Sequence, residues 1–505
     1  MHADGDSWLL AGGRVVTPDG VLSPGWITVA GARIDAVGPG DGRDRRAPGV
    51  RVADLRGHWL LPGFVDMHVH GGGGASFTEG TGDQARRAAE FHRGHGSTTI
   101  VASLVTAPLA ELEARAALLA DLADAGIIAG VHLEGPFLSA ARRGAQDPAS
   151  MLAPDVAVFE RLRAAARGHL RVLTLAPELP GATGVITAAA RAGVTVAVGH
   201  TDATAEVTAA AIDAGATHAT HLFNAMRPLH HREPGAAGAL LDSGKVSCEV
   251  IADGVHLHDV TLRLAARAAG PGRLVLVTDA MAAAGMPDGS YRLGSLRVTV
   301  AGGVARLAAP AGSQAPGGSL AAGGPIAGST ATMADVVRRA VAAGLPVADV
   351  AAAASTNPAR VLGIAGRTGA IRPGLAADLV ACDDTFRPGA VMANGRWLTG
   401  PGQLPAQPSY PAELSPACAP CRPAARRTPA PRRRPCAPRP ARRTCPGRRT
   451  PARARRWQAA GSGSRRSCSR SRCRPAAARS PRRATTSPAA RTPRRPRRRA
   501  AWHRT

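Results

Sequence analysis

Phe64-Val65-Asp66-Met67-His68-Val69-His70, followed by four glycines at 71–74, sets the frame for the rest of the chain. The run has the length and apolar content of a buried strand, yet it carries one acid and two histidines. Alternation along a strand puts Asp66, His68 and His70 on one face. Two imidazoles two residues apart can share a metal centre. An isolated HxH is a weak signal. At the end of an apolar strand, before a glycine loop, it matches enzymes that place their chemistry where barrel strands end.

Downstream, strand-like runs at 97–103, 130–134, 171–176, 195–200, 219–223, 246–251 and 274–278 follow the first one at 64–70. Ala-rich helical stretches at 84–92, 110–123, 156–166 and 205–214 separate them. Strands alternating with helices read as parallel βα units. Eight such units make a closed barrel, which commonly takes about 250 residues, and 61–360 is long enough. A doubly wound open sheet is the rival, but no glycine-rich dinucleotide fingerprint follows the first strand. Upstream, 1–60 reads as short strands at 8–16, 26–29 and 32–37, divided by Gly and Asp. Strand-like runs return at 374–382 and 390–398. The expected architecture is an α/β fold: a (β/α)8 TIM-like barrel over 61–360, inserted into a small discontinuous β-sandwich domain formed by 1–60 and 361–400.

The formal net charge of +27 is concentrated in the remainder. Residues 401–505 hold 29 Arg, no Lys and a single acid, Glu413, so the tail carries +28 and the rest of the chain −1. The tail is rich in Pro, Arg, Ala and Ser, with almost no aliphatic periodicity, and is expected to be disordered. Six of the eight cysteines lie there, without zinc-finger spacing. Nucleic-acid binding through its arginines is one reading of this segment. Its composition is also what out-of-frame translation of a GC-rich stretch yields. The body has only Cys248 and Cys382, which argues for a reducing compartment rather than a disulfide framework. The first residues show no secretory pattern, and no uncharged apolar run of about 18 residues appears, so a cytoplasmic protein without a membrane span is expected.

Further chemistry-bearing residues sit at the ends of the strand-like runs. Glu134 closes an apolar run in His132-Leu133-Glu134-Gly135-Pro136; a buried carboxylate needs a partner, either a divalent cation or an arginine such as Arg142. His200 and His221 each stand at or near a run's end, and either alone would pass for a core histidine. With Glu134 they form a His2Glu set, the open arrangement of a catalytic zinc. Asp279, in Val277-Thr278-Asp279-Ala280, suits a general acid–base role, the alternative being a helix N-cap.

Together the blocks FVDMHVHG (64–71), HLEGPFLS (132–139), TLAPE (174–178), VGHTDA (198–203), THLFNAM (220–226), REPG (232–235), ADGVHL (252–257), VTDAM (277–281), AGSTATM (327–333), STNPAR (355–360) and GLAADLV (374–380) resemble N-acetylglucosamine-6-phosphate deacetylases of the amidohydrolase superfamily. The resemblance spans about 8–398. It implies that Glu134, His200 and His221 hold the principal metal, zinc or in some members iron. It also implies that His68 and His70 match members holding a second ion, so one or two ions are expected per subunit. It implies that Asp279 activates water and then protonates the amine, and that His256 polarises the acetyl carbonyl or steadies the oxyanion. Asn224, Ala225 and the loop Ile326, Ala327 and Gly328 would contact an amino sugar phosphate. Arg232 would reach the phosphate from a neighbouring subunit, which implies a homodimer. One departure stands out: where the family commonly has Gly-Ala-His, this chain has Gly144-Ala145-Gln146. Ala145 and Gln146 are still expected at the substrate, but Gln can hydrogen-bond without becoming cationic. The Gly/Ala-rich stretch 308–324 is also longer than the family norm.

The expected reaction is hydrolysis of the acetamide of N-acetylglucosamine 6-phosphate to glucosamine 6-phosphate and acetate. The alternatives are an N-acetylgalactosamine 6-phosphate deacetylase, a cyclic-amide hydrolase or a deaminase. Many cyclic-amide hydrolases use a carboxylated lysine, but no Lys ends a barrel run here, and Lys245 precedes its strand. Nucleic-acid binding, from a different class, would need the tail.

Overall fold

The computed structural model describes residues 7–308 and 324–401. The expectations for the Arg-rich tail past Pro401 and for most of 308–324 lie outside the described residues.

The chain opens with an antiparallel meander, β1 (Trp8–Thr17), β2 (Gly20–Ala30) and β3 (Arg33–Pro39). Two short strands, β4 (Arg51–Asp54) and β5 (Trp59–Pro62), run parallel to successive halves of β1. Gly12 lies between those halves at φ 77, a left-handed conformation that favours glycine, where the β1–β2 register slips. β5 straddles position 61 and carries the chain from this sheet into the barrel.

The barrel begins with β6 (Val65–Val69), followed by a two-residue pair β7 (Gly71–Gly72) and β8 (Ala75–Ser76). Its other strands are β9 (Thr99–Val105), β10 (Gly130–Glu134), β11 (Leu170–Leu175), β12 (Thr195–Val198), β13 (His218–Ala219), β14 (Ser247–Val250) and β15 (Leu274–Leu276). β6 and β9–β15 pair in parallel and in chain order. The ring closes beyond the last strand: Asp279 N–H donates to His68 O at 2.9 Å, and His70 N–H donates to Ala280 O at 2.8 Å.

Helices pack outside the strands: α1 (Gly82–Gly94), α2 (Leu109–Asp124), α3 (Val156–Ala165), α4 (Ala182–Arg191), α5 (Ala205–Ala214), α6 (Gly235–Asp242) and α7 (Asp259–Ala269). α8 (Met333–Ala342) follows the last barrel strand. Side-chain caps set several starts: Thr81 forms a capping box with Gln84, Asp155 accepts from Ala157 and Val158, and Thr332 boxes with Asp335. Outward strand residues such as Val131, Leu133, Leu173 and Leu175 join helix residues in the main core. The opposite faces contribute a separate apolar cluster of Met67, Val101, Val172, Ala197, Ile251, Val275 and Val277.

Three barrel strands stop two or more residues earlier than their sequence predicts, among them β15, which ends at Leu276. β12 ends at Val198 and β13 at Ala219, so His200 and His221 stand beyond them in left-handed conformations. A three-stranded antiparallel sheet, β16 (Gly289–Leu293), β17 (Leu296–Ala301) and β18 (Val304–Leu307), was not foreseen. It has its own apolar cluster and bridges Arg306 to Ile326.

The chain then returns to the first sheet as β19 (Leu379–Cys382), β20 (Pro388–Ala393) and β21 (Arg396–Thr399), with β19 antiparallel to β5. Asn394 and Gly395 both have positive φ, as a two-residue hairpin turn requires. The sheet folds over on itself. β1 and β21 are separated by β5, β19 and β20, yet the rings of Trp8 and Trp397 meet edge to face at 5.6 Å. That sandwich encloses Leu10, Ile27, Leu60, Leu379 and Met392. Cys248 and Cys382 are buried free thiols. Among the described residues, no helix is long and apolar enough to cross a membrane.

Candidate metal centre

Six side chains from five barrel strands and the segments after them converge at one end of the barrel. His68 and His70 come from β6 and the residue after it, Glu134 ends β10, and His200, His221 and Asp279 follow β12, β13 and β15. Glu134, His200 and His221 form one group, with both imidazole Nε2 atoms 3.0 Å from Glu134 Oε1 and 3.1 Å from each other. His68, His70 and Asp279 form the second. Here His68 Nε2 lies 3.1 Å from His70 Nε2, and Asp279 Oδ1 is 3.4 and 3.2 Å from the two nitrogens. Glu134 faces both groups, with Oε2 3.3 Å from His70 Nε2 and Oε1 3.5 Å from His68 Nε2.

The backbone is forced into these positions. His200, His221 and Asp279 have φ of 47, 28 and 48, and Ala225 has 49. Non-glycine residues in this region cost on the order of 1–3 kcal/mol each and persist where tertiary contacts hold them. One such contact comes from Glu178 of the TLAPE block, which accepts from Thr201 Oγ1 at 2.5 Å and Asp202 N–H at 2.6 Å.

The donor set fits a divalent cation. Tetrahedral ligands about 2.0–2.1 Å from zinc stand roughly 3.3–3.4 Å apart, close to the separations found here. Hydrogen-bond partners also fix which nitrogen faces inward. His68 Nδ1 lies 3.1 Å from the Glu249 carboxylate, His70 Nδ1 3.2 Å from Ser103 O, and His200 Nδ1 3.0 Å from Arg142 O. All three partners are acceptors, so Nδ1 carries the proton and the Nε2 lone pair points at the cluster. The charge of the cluster favours a cation there, whether a proton or a metal ion. Burial disfavours a charged His68, but Asp279, Glu134 and Glu249 outweigh it and raise its pKa well above the usual imidazole range. Burial likewise pushes the Glu134 carboxyl up, yet His68 and His200 hold it well below the usual carboxylate range. The cluster draws in positive charge.

The alternatives raised by the sequence fall away. Arg142 pairs with Asp202 at 2.8 Å rather than with Glu134. No helix starts after Asp279; β16 is the next regular element. Asp66 does not share the inward face of His68 and His70. Its carboxylate accepts from Thr278 Oγ1 at 2.6 Å and Thr278 N–H at 3.3 Å, because the β6–β9 register breaks between Asp66 and Val69.

A cavity of about 190 Å³ opens above the cluster, lined by His70, Glu134, Gly144, Ala145, Gln146, His200, His221, Asn224, Ala225, His256, Asp279, Leu293, Pro325, Ile326 and Gly328. Ala327 is buried behind its neighbours and donates its N–H to Ala305 O at 3.0 Å. Arg232 lies outside this lining, exposed on the turn joining His230 to Glu233, with a guanidinium nitrogen 2.8 Å from His231 Nε2. His256 presents its ring with Nδ1 2.7 Å from Asp253 Oδ2, while Asp253 Oδ1 accepts the N–H groups of Val255 and His256 at 2.8 Å.

Several residues of this site carry no sequence-based expectation: Asp253, Glu249, His218, Ser103 and His132. Glu249 accepts from His218 Nε2 at 2.9 Å and from His221 N–H at 3.1 Å, besides holding His68. Ser103 Oγ and Thr174 Oγ1 flank His132 at 2.9 and 2.8 Å. Part of the signal that singled out Glu134, an acid in an apolar strand, was present at Glu249 as well.

Residues 59–398 match the model of the amidohydrolase family. The chain is 46% identical to the solved N-acetyl-D-glucosamine-6-phosphate deacetylase mutant of Mycobacterium smegmatis in complex with N-acetyl-D-glucosamine-6-phosphate, with a TM-score of 0.73 over 78% of this chain and 100% of that one. It is 36% identical to the N-acetylgalactosamine-6-phosphate deacetylase of Escherichia coli O157:H7, across 73% of this chain and 93% of the relative. It is 33% identical to the N-acetylglucosamine-6-phosphate deacetylase of Bacillus subtilis (strain 168), across 74% and 93%.

Proposed function

From a chain that belongs to the amidohydrolase family we infer a hydrolase that removes the acetyl group of N-acetyl-D-glucosamine 6-phosphate, giving D-glucosamine 6-phosphate and acetate. The observation that carries this reading is the convergence of Glu134, His200 and His221 on one point, with Asp279 beside it at the floor of the cavity.

Glu134, His200 and His221 would hold the principal ion, zinc in preference to iron, and His68, His70 and Asp279 a second. A bound divalent ion supplies Lewis acidity that strengthens a water nucleophile and draws charge from the acetyl oxygen. The chain's own groups account for the rest. Asp279, at the cavity floor, takes the proton of the attacking water and passes it to the departing amine. His256, anchored through Nδ1 to Asp253, offers Nε2 to the acetyl oxygen and steadies the charge developing there. Asn224, Ala225, Ala145 and the loop at 326–328 line the sugar, with Gln146 between that wall and Glu134. Arg232, exposed and outside its own cavity, is assigned to the phosphate of a neighbouring subunit in a homodimer.

A galactosamine substrate is the second reading, favoured by the 36% identity to the Escherichia coli enzyme named for it. Purified protein assayed for acetate release on both phosphorylated sugars, on unphosphorylated N-acetylglucosamine and on a cyclic amide, with parallel metal analysis, tests the assignment. Fastest turnover is expected on N-acetylglucosamine 6-phosphate, with about one or two ions per chain. Turnover confined to the cyclic amide would discard this function.

A further inference from the structure

We propose that Glu249 is a positioning residue that makes the second metal site, by holding the His68 proton on Nδ1 so that Nε2 is left as a metal donor beside His70 and Asp279. This rests on the two-ion reading above.

Glu249 is fully buried on β14, and among the described residues no Lys or Arg is a hydrogen-bond or ion-pair partner of it. A buried carboxylate without such a partner is costly unless its oxygens are satisfied and its charge is answered nearby. Both conditions are met. Oε2 accepts from His68 Nδ1 at 3.1 Å and from His221 N–H at 3.1 Å, and Oε1 accepts from His218 Nε2 at 2.9 Å. Glu249 thus touches a side chain of one ligand group and the backbone of the other.

His68 differs from His70 and His200 in that its Nδ1 acceptor is a carboxylate. His70 and His200 give their Nδ1 protons to backbone carbonyls. His68 has carboxylates on its other side, with Asp279 Oδ1 at 3.4 Å and Glu134 Oε1 at 3.5 Å from Nε2. Left to those two acids, the imidazole would keep a proton on Nε2, which blocks the lone pair a metal requires. An anionic acceptor on Nδ1 reverses that preference and makes Nε2 a more basic ligand. His218 then anchors the far oxygen of Glu249.

The test uses the full chain loaded with zinc, with ions counted and affinities read by competition with a chromophoric chelator. Wild type should bind two ions. Glu249→Gln should keep one at wild-type affinity and bind the other at least tenfold more weakly. Two ions held by Glu249→Gln as tightly as by wild type would overturn the proposal, as would equal weakening of both. A wild type that binds a single ion removes the two-ion reading itself, and this inference with it, before any variant is made. Should Glu249→Gln not fold, nitrogen-15 histidine spectra of zinc-loaded wild type decide. The resonance lost in His68→Asn must show a proton on Nδ1; a proton on Nε2 overturns the proposal.

Discussion

Gln146 donates its amide N–H to Glu134 Oε2 at 2.6 Å, while its own oxygen accepts the N–H of Thr106 at 2.7 Å. The glutamine therefore links the loop after β9 to the carboxylate that faces both ligand groups. It is 3% exposed, so its amide belongs to the metal centre as much as to the cavity wall. Gln146→Ala should bind zinc about tenfold more weakly at the Glu134/His200/His221 site, since partners of ligating carboxylates commonly matter on that scale. Chelator competition reads this directly. An unchanged affinity, with only the Michaelis constant raised, would return Gln146 to a purely substrate-facing role.

Asp279→Asn removes the proton acceptor while keeping the shape of the side chain. Turnover should fall by a factor of about 10²–10⁴, the usual contribution of a positioned acid–base group. Circular dichroism and the ion held by Glu134, His200 and His221 should not change. Near wild-type turnover would remove Asp279 from the proton transfers.

Asp253 lies one bond further out. Burial works against its charge, but the hydrogen bond and charge of His256 hold the carboxyl below its usual range. Asp253→Asn leaves the backbone contacts to residues 255 and 256 open to the amide oxygen, yet takes the anion from His256 Nδ1. The expected result is a kcat about tenfold or more lower with a KM close to wild type, because the oxyanion side of the reaction suffers and sugar binding does not. A change in KM alone would place His256 in binding instead.

How far the sequence carried is visible in these residues. Strand order, the barrel and the six converging side chains were legible because each stands in or just after the last residues of an apolar run, and an ionisable group there has few inert explanations. Glu249 offered the same cue but sits mid-strand in Ser-Cys-Glu-Val, away from the glycine and proline that mark a strand end. The positive φ of His200, His221 and Asp279 had no local signal, since only tertiary contacts hold such residues there. α4, α6, α7 and α8 were not among the helical stretches read; in α6, Gly-Ala-Ala-Gly gives little apolar periodicity. The β16–β18 sheet was available in the alternation of Val298 and Val300 with polar neighbours, bounded by Gly302-Gly303.

Arg232→Ala tests the subunit contribution. If the guanidinium reaches a neighbour's phosphate, KM for the phosphorylated sugar should rise by about tenfold or more, with kcat changed little, through loss of a charge-assisted contact. Mixing this variant with an Asp279→Asn variant should restore some activity, because a mixed dimer pairs an intact Asp279 with an intact Arg232. Sedimentation of the wild type as a monomer, or an unchanged KM, would end this assignment.

His92 gives the fold a pH dependence of its own. The ring is fully buried on α1, its Nε2 donates to Gly71 O at 2.8 Å, and Nδ1 has no hydrogen-bond partner among the described residues. Burial lowers its pKa to about 4, against about 6.5 in an unfolded chain. Between those values the unfolded state binds the proton and the folded state does not, so stability falls as pH falls. Its contribution is intact above about pH 6.5 and is lost on passing through the folded value, with a slope approaching 1.4 kcal/mol per pH unit in between. His92→Gln keeps a donor for Gly71 O but does not titrate. Urea unfolding at pH 7 and pH 5 should show a larger loss for wild type than for the variant, whatever the other histidines contribute to both. Equal losses would mean that His92 is already protonated, or already solvated, in the folded protein.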